Sequence, residues 1–207
     1  TISLLSMALQ SLGIEAQSFT GWQAGIVTEQ VPSNARIENI QAKMIQQALN
    51  EHKIAVVAGF QGIDAQGNIT TLGRGGSDTT AVALAAALGA ERCDIYTDVD
   101  GVYTSDPRYI KGARKLQEMS YDEMLELAHL GAGVLHPRSV EVAKNHRMPM
   151  TVRSSYEEVE GTILKEEVIV EKNLVVRGVA FEEQIVRMTV YYNESYTGSL
   201  ANIFTTL

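Results

Sequence analysis

Hydrophobic positions along the 207-residue chain follow two spacings, and the alternation between them predicts an α/β protein. A spacing of three to four residues predicts helices, whereas continuous or alternating apolar runs predict strands. The predicted helices are residues 2–12, 37–52, 79–89, 120–129 and one that begins near Pro137. The predicted strands are residues 15–19, 25–28, 54–60, 93–98 and 149–154.

The middle of the chain predicts one continuous unit of strand, hairpin, loop, helix and strand. The run IAVVAGF at 54–60 is apolar almost throughout, as in a strand buried on both faces of a parallel sheet. Turn residues within 61–73 predict a protruding hairpin. The alanine-rich helix at 79–89 ends at Gly89, and Ser120 with Glu123 predicts a capping box for the helix at 120–129.

The C-terminal part predicts a second unit. The glutamate-rich stretch 157–167 is the candidate linker. Beyond it, residues 174–181 and 185–192 have the pattern of strands and residues 199–207 that of a helix. The predicted domains are therefore 1–165 and 166–207, the second being the beginning of a small β–α domain.

Composition and charge exclude several function classes. The net charge of −8 and the lack of a Lys/Arg cluster argue against nucleic-acid binding. No apolar stretch approaches the roughly 20 residues of a membrane span. Cys93, the single cysteine, excludes an internal disulfide and favours a buried thiol in a reducing cytoplasm. The four histidines lack metal-ligand spacing, so no resident metal site is predicted.

A glycine-rich loop, LGRGGSD at 72–78, is the strongest local signal for a binding site. Gly75 and Gly76 free the backbone to approach a ligand, and the following helix offers N–H groups with a positive dipole end. Arg74 adds a forked cation that suits a carboxylate or phosphate, while Ser77 and Asp78 are placed to cap the helix or to meet the ligand. Spacing alone leaves two interpretations open, an anion site or a flexible loop that leads into a helix.

An aspartate-rich loop follows the strand at 93–98, where the carboxyl ends of parallel strands usually present ligands. Its carboxylates, hydroxyls and tyrosine suit a ribose, a purine edge or Mg²⁺. An Asx-rich loop whose carboxylates bond their own backbone explains the same pattern. The candidate residues of this loop are Thr97, Asp98, Tyr103, Thr104, Ser105, Asp106, Pro107 and Arg108.

Four stretches stand in the order seen in aspartokinases, and the chain resembles that family from residue 1 to about 165. They are GFQG at 59–62, TLGRGGSDTTAVALAAALGA at 71–90, IYTDVDGVYTSDPR at 95–108 and VLHPRSVEVA at 134–143. The resemblance implies an amino-acid-kinase fold, a three-layer sandwich whose mostly parallel sheet lies between helix layers. The rest resembles the start of an ACT-like α+β regulatory domain.

The resemblance also implies a reaction and residue roles. The enzyme would transfer the ATP γ-phosphoryl group to L-aspartate, giving 4-phosphoaspartate for lysine, threonine and methionine synthesis. Arg74 would pair with the substrate α-carboxylate, and Phe60 would shape the pocket. Gly75, Gly76 and Ser77 would line the aspartate and phosphate path, and Asp78 would lie near the substrate amine and the catalytic lysine. The loop from Thr97 to Arg108 would hold ATP, with Mg²⁺ as cofactor.

The sequence departs from the family pattern in three places. The lysine–glycine–glycine motif of aspartokinases is not in this sequence, which predicts an internal fragment with negligible activity on its own. Gly133 stands where some relatives have a nucleotide-contacting lysine, and Thr197 where many ACT domains have proline. ACT domains imply an effector such as lysine or threonine and side-by-side oligomers in the full protein.

Two alternative functions remain open from the sequence. One is a sister kinase of the same fold that acts on glutamate, acetylglutamate or a nucleotide. The other is a non-catalytic module that binds amino acids and pairs with intact subunits, an interpretation that the missing lysine motif favours.

Overall fold

The computed structural model describes residues 1–168, 176–181 and 189 of the chain. Its helices are α1 Ile2–Ser11, α2 Lys43–Asn50, α3 Gly76–Leu88, α4 Tyr121–His129 and α5 Pro137–His146. Its strands are β1 Ala16–Phe19, β2 Ile26–Thr28, β3 Ile37–Ile40, β4 Ile54–Val57, β5 Gln61–Ile63, β6 Ile69–Thr71, β7 Cys93–Thr97, β8 Glu118–Ser120, β9 Met150–Ser154 and β10 Thr162–Lys165. The predicted α/β class is confirmed.

The described strands form three sheets with mostly parallel pairing. β1 pairs in parallel with β4. A second sheet has the order β3-β2-β5-β6, in which β5 is parallel to β2 and the outer strands β3 and β6 are antiparallel to their neighbours. The third has the order β7-β9-β10-β8, with β7 parallel to β9, β8 parallel to β10, and β10 antiparallel to β9.

Helix α3 lies between the two hydrophobic cores. Val82 belongs to the core that joins the third sheet to α4 and α5. Leu84 belongs to the other core, which also contains Phe19 of β1, Ile26 of β2 and Ile45 of α2. The many alanines of α3 let neighbouring elements approach it from both sides, which explains the low amphipathicity of its sequence. The position of the α3 amino end is therefore fixed by both cores.

The prediction of a single helix at 37–52 was wrong in its first part. Residues 37–40 form β3, and the helix begins only at Lys43. Ile37 and Ile40 pair with Thr28 and Ile26 of β2, so sheet pairing overrides the helical spacing of the local sequence.

The strand predicted at 54–60 is shorter and less buried than its apolar composition indicated. β4 ends at Val57, and Ile54 is 43% exposed. The physical reason is that β4 pairs with β1 along one edge only, within the described residues. Phe60 then adopts a left-handed backbone, with φ of 72°, which ends the extended segment.

The linker prediction for 157–167 was also wrong in its second half. Residues 162–165 form β10 inside the third sheet, and Thr162 and Leu164 are fully buried. The glutamates before Gly161 obscured this short buried strand. The sequence pattern also failed to indicate β8, which precedes the capping box at Ser120 and Glu123.

The C-terminal predictions are tested only in part. Residues 176–181 have no regular secondary structure, so this part of the strand predicted at 174–181 was wrong. Apart from residue 189, the predicted strand 185–192 lies outside the described residues, as does the predicted helix 199–207. Among the helices that the structure describes, none is both long and apolar enough for a bilayer crossing.

We expect Thr162→Val to lower the free energy of unfolding by about 1–3 kcal/mol, because it leaves buried backbone groups without a partner. The Thr162 hydroxyl accepts from Val102 N at 2.8 Å and donates to Leu116 O at 2.6 Å. Denaturant unfolding measures the loss. Thr162→Ser keeps the hydroxyl and should cost about 1 kcal/mol for the missing methyl. A valine variant as stable as the wild type would contradict this account.

Candidate active site

The glycine-rich loop joins the end of β6 to the start of α3. Gly73 and Gly75 have φ of 76° and 65°, in the left-handed region that favours glycine. Gly76 N donates to Gly73 O at 3.1 Å, which closes a tight turn before the helix. The loop is therefore a hydrogen-bonded turn that leads directly into the helix.

Neighbouring groups approach this turn so closely that side chains have no room. A Cβ atom added to Gly75 would lie 2.1 Å from Cβ of His136. One added to Gly76 would lie 2.9 Å from both Leu72 Cβ and Phe60 Cδ2. A bare backbone is required at both positions, as in a site where the main chain itself contacts the ligand.

Among the described residues, no side chain caps the amino end of α3. Gly75 is the N-cap residue, so of the two roles offered for Ser77 and Asp78 the capping role is not observed. The hydroxyl of Ser77 instead donates to Asp78 Oδ1 at 3.3 Å. Because an uncapped first turn keeps N–H groups without intrahelical acceptors and carries a positive partial charge, it is suited to an anion.

Arg74 supplies a cation at the tip of the same loop. Its side chain is exposed, and it forms no salt bridge with any carboxylate in the described part of the chain. Its guanidinium is therefore available to bind a carboxylate or phosphate in two-point geometry.

Phe60 is fixed against the loop by its backbone. Its N–H donates to Thr80 Oγ1 at 3.1 Å, and its carbonyl accepts from Leu72 N at 2.9 Å. Thr80 in turn donates to Gly76 O at 2.7 Å. The ring remains 45% exposed and forms an apolar wall beside the turn.

An apolar groove of about 440 Å³ runs from this turn between β4 and α3. Gly59 and Ser77 stand at its polar end, and Val57, Ala81 and Leu84 are among its apolar lining residues. This apolar lining does not suit a charged ligand.

Asp78 is a half-buried carboxylate at the start of α3. Burial raises its pKa above the ordinary value, against the hydrogen bond from Ser77 and the charge of His136, which lower it. The folded state therefore carries an unfavourable ionised group next to the loop, as functional sites often do.

Thr97 and Asp98 stand at the carboxyl end of β7. Thr97 Oγ1 donates to Asp98 Oδ1 at 3.1 Å, and Asp98 is exposed. An exposed carboxylate with an adjacent hydroxyl offers the oxygen ligands that Mg²⁺ and ribose hydroxyls prefer. Within the described residues no group of three metal-ligating side chains was found.

The next part of the aspartate-rich loop is braced from inside. Tyr103 OH donates to Asp100 Oδ1 at 3.0 Å, and Lys115 Nζ lies 3.1 Å from Asp100 Oδ2. Burial raises the pKa of Asp100, but the bonds from Lys115 and Tyr103 outweigh burial and lower it overall. Lys115 also donates to Glu160 O at 2.8 Å. Lys115 is thus held by protein groups on both sides of the loop.

The end of the loop follows the Asx interpretation. Asp106 accepts from Arg108 N at 2.8 Å, and its carboxylate pairs with the Arg108 guanidinium at 2.6 Å. Pro107 is exposed between them, whereas Thr104 and Ser105 are half-buried. Hydrogen bonds and a salt bridge within the segment therefore fix its shape. Only its exposed surface is accessible to a ligand.

The contacts that the start of α5 makes with the glycine-rich loop are the part of the site that sequence reasoning missed. His136 is the N-cap of α5, accepting from Arg138 N at 3.2 Å. Its ring also fills the space that a side chain at Gly75 would occupy. The start of the helix itself was predicted, because Pro137 is typical of the first position of a helix.

Gly133 and Cys93, two further residues singled out in the sequence, have clear positions. Gly133 is exposed, with nothing within 4 Å of the place a Cβ would take. Cys93 is buried as predicted, and burial raises the pKa of its thiol to about 11, with smaller contributions from Asp94 and Asp78. Such a thiol is inert at neutral pH.

The described contacts bring the predicted residues together as two clusters. The first is the anion loop, formed by Phe60, Arg74, Gly75, Gly76, Ser77 and Asp78. The second runs from Thr97 to Arg108 and is held by Lys115 and Thr162.

Comparison with known proteins identifies the architecture. A model of the "Amino acid kinase family" matches residues 1–154. An aspartokinase from Bacillus sp. (strain MGA3) is 69% identical over 207 residues, which are 100% of this chain and 50% of that protein. The chain spans about half the length of the curated relatives it matches.

Solved structures give the same result. E. coli aspartokinase III in complex with aspartate and ADP (R-state) superposes with a TM-score of 0.78 and 34% identity, covering 86% of this chain and 40% of that one. The same enzyme in complex with lysine and aspartate (T-state) superposes with a TM-score of 0.72 and 33% identity, covering 86% and 41%.

We expect Asp78→Asn to raise the melting temperature at neutral pH. Because the folded-state pKa of Asp78 lies above the unfolded one, ionisation costs the folded state free energy, and this cost disappears as the pH falls through that pKa. The gain should therefore shrink toward about pH 4, where carboxyls protonate.

Asp106→Asn is the control, because the pKa of Asp106 is shifted in the opposite direction to that of Asp78. The hydrogen bonds from Arg108 lower the pKa of Asp106, so removal of its charge should give no such gain. Equal melting temperatures for wild type and Asp78→Asn at neutral pH would refute the expected penalty.

Proposed function

The chain belongs to the amino acid kinase family, and from that premise we propose that it carries the substrate-binding and nucleotide-binding loops of an ATP-dependent aspartate kinase. In this reaction an oxygen of the aspartate side-chain carboxylate attacks the γ-phosphorus of ATP. The bond from that phosphorus to the β,γ-bridging oxygen breaks, which releases ADP and 4-phospho-L-aspartate.

One observation carries the proposal: the side-chain-free turn at Gly75 and Gly76 stands next to the Arg74 guanidinium, which no carboxylate among the described residues pairs with. Both reactants are anions, so the site has to neutralise and align negative charge more than it has to supply a nucleophile. Backbone N–H groups, a helix dipole and one arginine provide these elements.

Each residue of the anion loop has its own role in binding aspartate. Arg74 binds the α-carboxylate of aspartate, and the exposed ring of Phe60 limits the pocket. Gly75, Gly76 and Ser77 line the path of the side-chain carboxylate and the transferred phosphoryl group. Asp78 binds the substrate ammonium group, whose positive charge would offset the cost of keeping that carboxylate half-buried.

The second cluster holds the nucleotide. Thr97, Asp98 and Tyr103 offer hydroxyl and carboxylate oxygens to the ribose, and the segment from Thr104 through Ser105, Asp106 and Pro107 to Arg108 covers the nucleotide. Asp98 would hold Mg²⁺ through a carboxylate oxygen, and the ion would supply positive charge to neutralise the ATP phosphates. The ADP in the E. coli relative supports a nucleotide at this family's site.

Feedback regulation is a finer part of the same proposal. Residues 166–207 would begin an ACT-like domain that responds to lysine or threonine and joins subunits into homo- or hetero-oligomers. Residues 176–181 already touch the nucleotide cluster, because Val179 N donates to Thr104 O at 2.8 Å. Arg177 pairs with Glu123 at 3.0 Å, and the Phe181 ring packs edge-on against Tyr109. These contacts support a route by which effector binding to the ACT-like domain would change ATP binding.

Use of ATP and the free thiol of Cys93 fit a cytoplasmic enzyme.

The test is aspartate-dependent ADP release by the full-length protein, with the acyl phosphate trapped as a hydroxamate. We expect hydroxamate from L-aspartate and none from glutamate, acetylglutamate or a nucleotide acceptor. Amino-acid binding without ADP release would instead favour the non-catalytic module.

We expect Arg74→Met to raise the KM for aspartate by about 10- to 100-fold, since a hydrogen-bonded charge pair contributes about 1.5–3 kcal/mol. The KM for ATP should stay within about twofold, because Arg74 belongs to the other cluster. Steady-state kinetics of the full-length protein measures both constants.

Arg92→Met is the matched control, because Arg92 is exposed and pairs with Asp94 at the opposite end of β7. It should leave both constants unchanged. An aspartate KM unaffected by Arg74→Met would exclude Arg74 from substrate binding.

A further inference from the structure

We propose that Arg138 is a positioning residue that sets the anion loop for its substrate. The inference rests on the proposed function, since it concerns the same substrate-binding loop. It goes further by naming the group outside the loop on which the loop geometry depends.

One guanidinium reaches three acceptors. Nη1 of Arg138 donates to Leu72 O at 2.7 Å and to Ala35 O at 3.3 Å, and Nη2 donates to Asn34 Oδ1 at 3.0 Å. Leu72 and Ala35 are fully buried, so their carbonyls depend on a protein partner. Lysine has a single nitrogen and lacks the planar fork that spans such a set.

The acceptors belong to two adjoining segments. Residues 32–35 are tied to the end of β6, because Thr71 N donates to Pro32 O at 3.0 Å and Ala35 N donates to Thr71 O at 2.9 Å. Asn34 has a left-handed φ of 61° that brings its Oδ1 to 2.6 Å from the place of a Cβ on Gly73. Arg138 thus locks the first glycine of the loop against the 32–35 segment.

A second anchor comes from the same turn of α5. The His136 ring packs against Gly75, and Pro137 at the first helical position fixes the backbone between His136 and Arg138. Leu72 and Gly75 are therefore both held by the start of α5, and Arg74 lies between them. The backbone position of Arg74 follows from these two anchors.

Arg138 itself acts through the loop and not on the ligand. Its Nη atoms are engaged by protein acceptors, and the residue is half-buried. The nucleotide cluster is held by other groups, namely Thr162 and Lys115. Loss of Arg138 should therefore disturb aspartate binding and leave ATP binding intact, a split that a purely structural defect would not produce.

The experiment measures both KM values of the full-length protein carrying Arg138→Met, Arg138→Lys or Asn34→Gly. We expect the KM for aspartate to rise about tenfold or more in Arg138→Met, and less in the other two, while the KM for ATP stays within about twofold. Asn34→Gly removes one acceptor and keeps the left-handed backbone, so it carries the test if the methionine variant does not fold.

Lys144→Met is the control, because it removes a half-exposed cation further along α5. It should change neither KM. In an active wild type, an unchanged aspartate KM in Asn34→Gly and in every Arg138 variant that folds overturns the inference. So does an equal rise in both KM values. A wild type without aspartate-dependent turnover refutes the proposed function instead, so the two failures are distinguishable.

Discussion

The absence of room for side chains at Gly75 and Gly76 is the constraint on which the site depends. His136 occupies the space beside Gly75, while Phe60 and Leu72 occupy the space beside Gly76. This packing holds the main chain in a left-handed turn and keeps the amino end of α3 free of a side-chain cap. The helix therefore directs its positive end toward whatever anion lies at the turn.

The rest of the fold keeps that turn in place. Both hydrophobic cores pack on α3, through Val82 on one side and Leu84 on the other. The start of α5 adds a hydrogen bond that the Arg138 guanidinium donates to Leu72 O. The loop from Thr97 to Arg108 has a separate set of braces, among them the buried hydroxyl of Thr162. The two loops are thus stabilised by separate contacts, which suits the two anionic reactants of the proposed reaction.

Long, strongly patterned elements could be predicted from the sequence, and short elements fixed by tertiary contacts could not. The helix after the glycine loop and the capping box at Ser120 were found because their signals are local. β3 and β10 were missed because pairing with adjacent strands determines them, and the local spacing of apolar residues does not show that pairing. For the site, glycines and an arginine before a helix indicated an anion loop. Nothing local revealed that Arg138 reaches Asn34, 104 residues away in sequence.

The most direct test of the proposed site is a crystal structure of the full-length protein with aspartate and ADP. We expect the α-carboxylate of aspartate on the Arg74 guanidinium, with the side-chain carboxylate at the turn of Gly75, Gly76 and Ser77. ADP should lie along the loop from Thr97 to Arg108. Aspartate bound elsewhere, with the turn of Gly75 and Gly76 empty, would contradict the central claim.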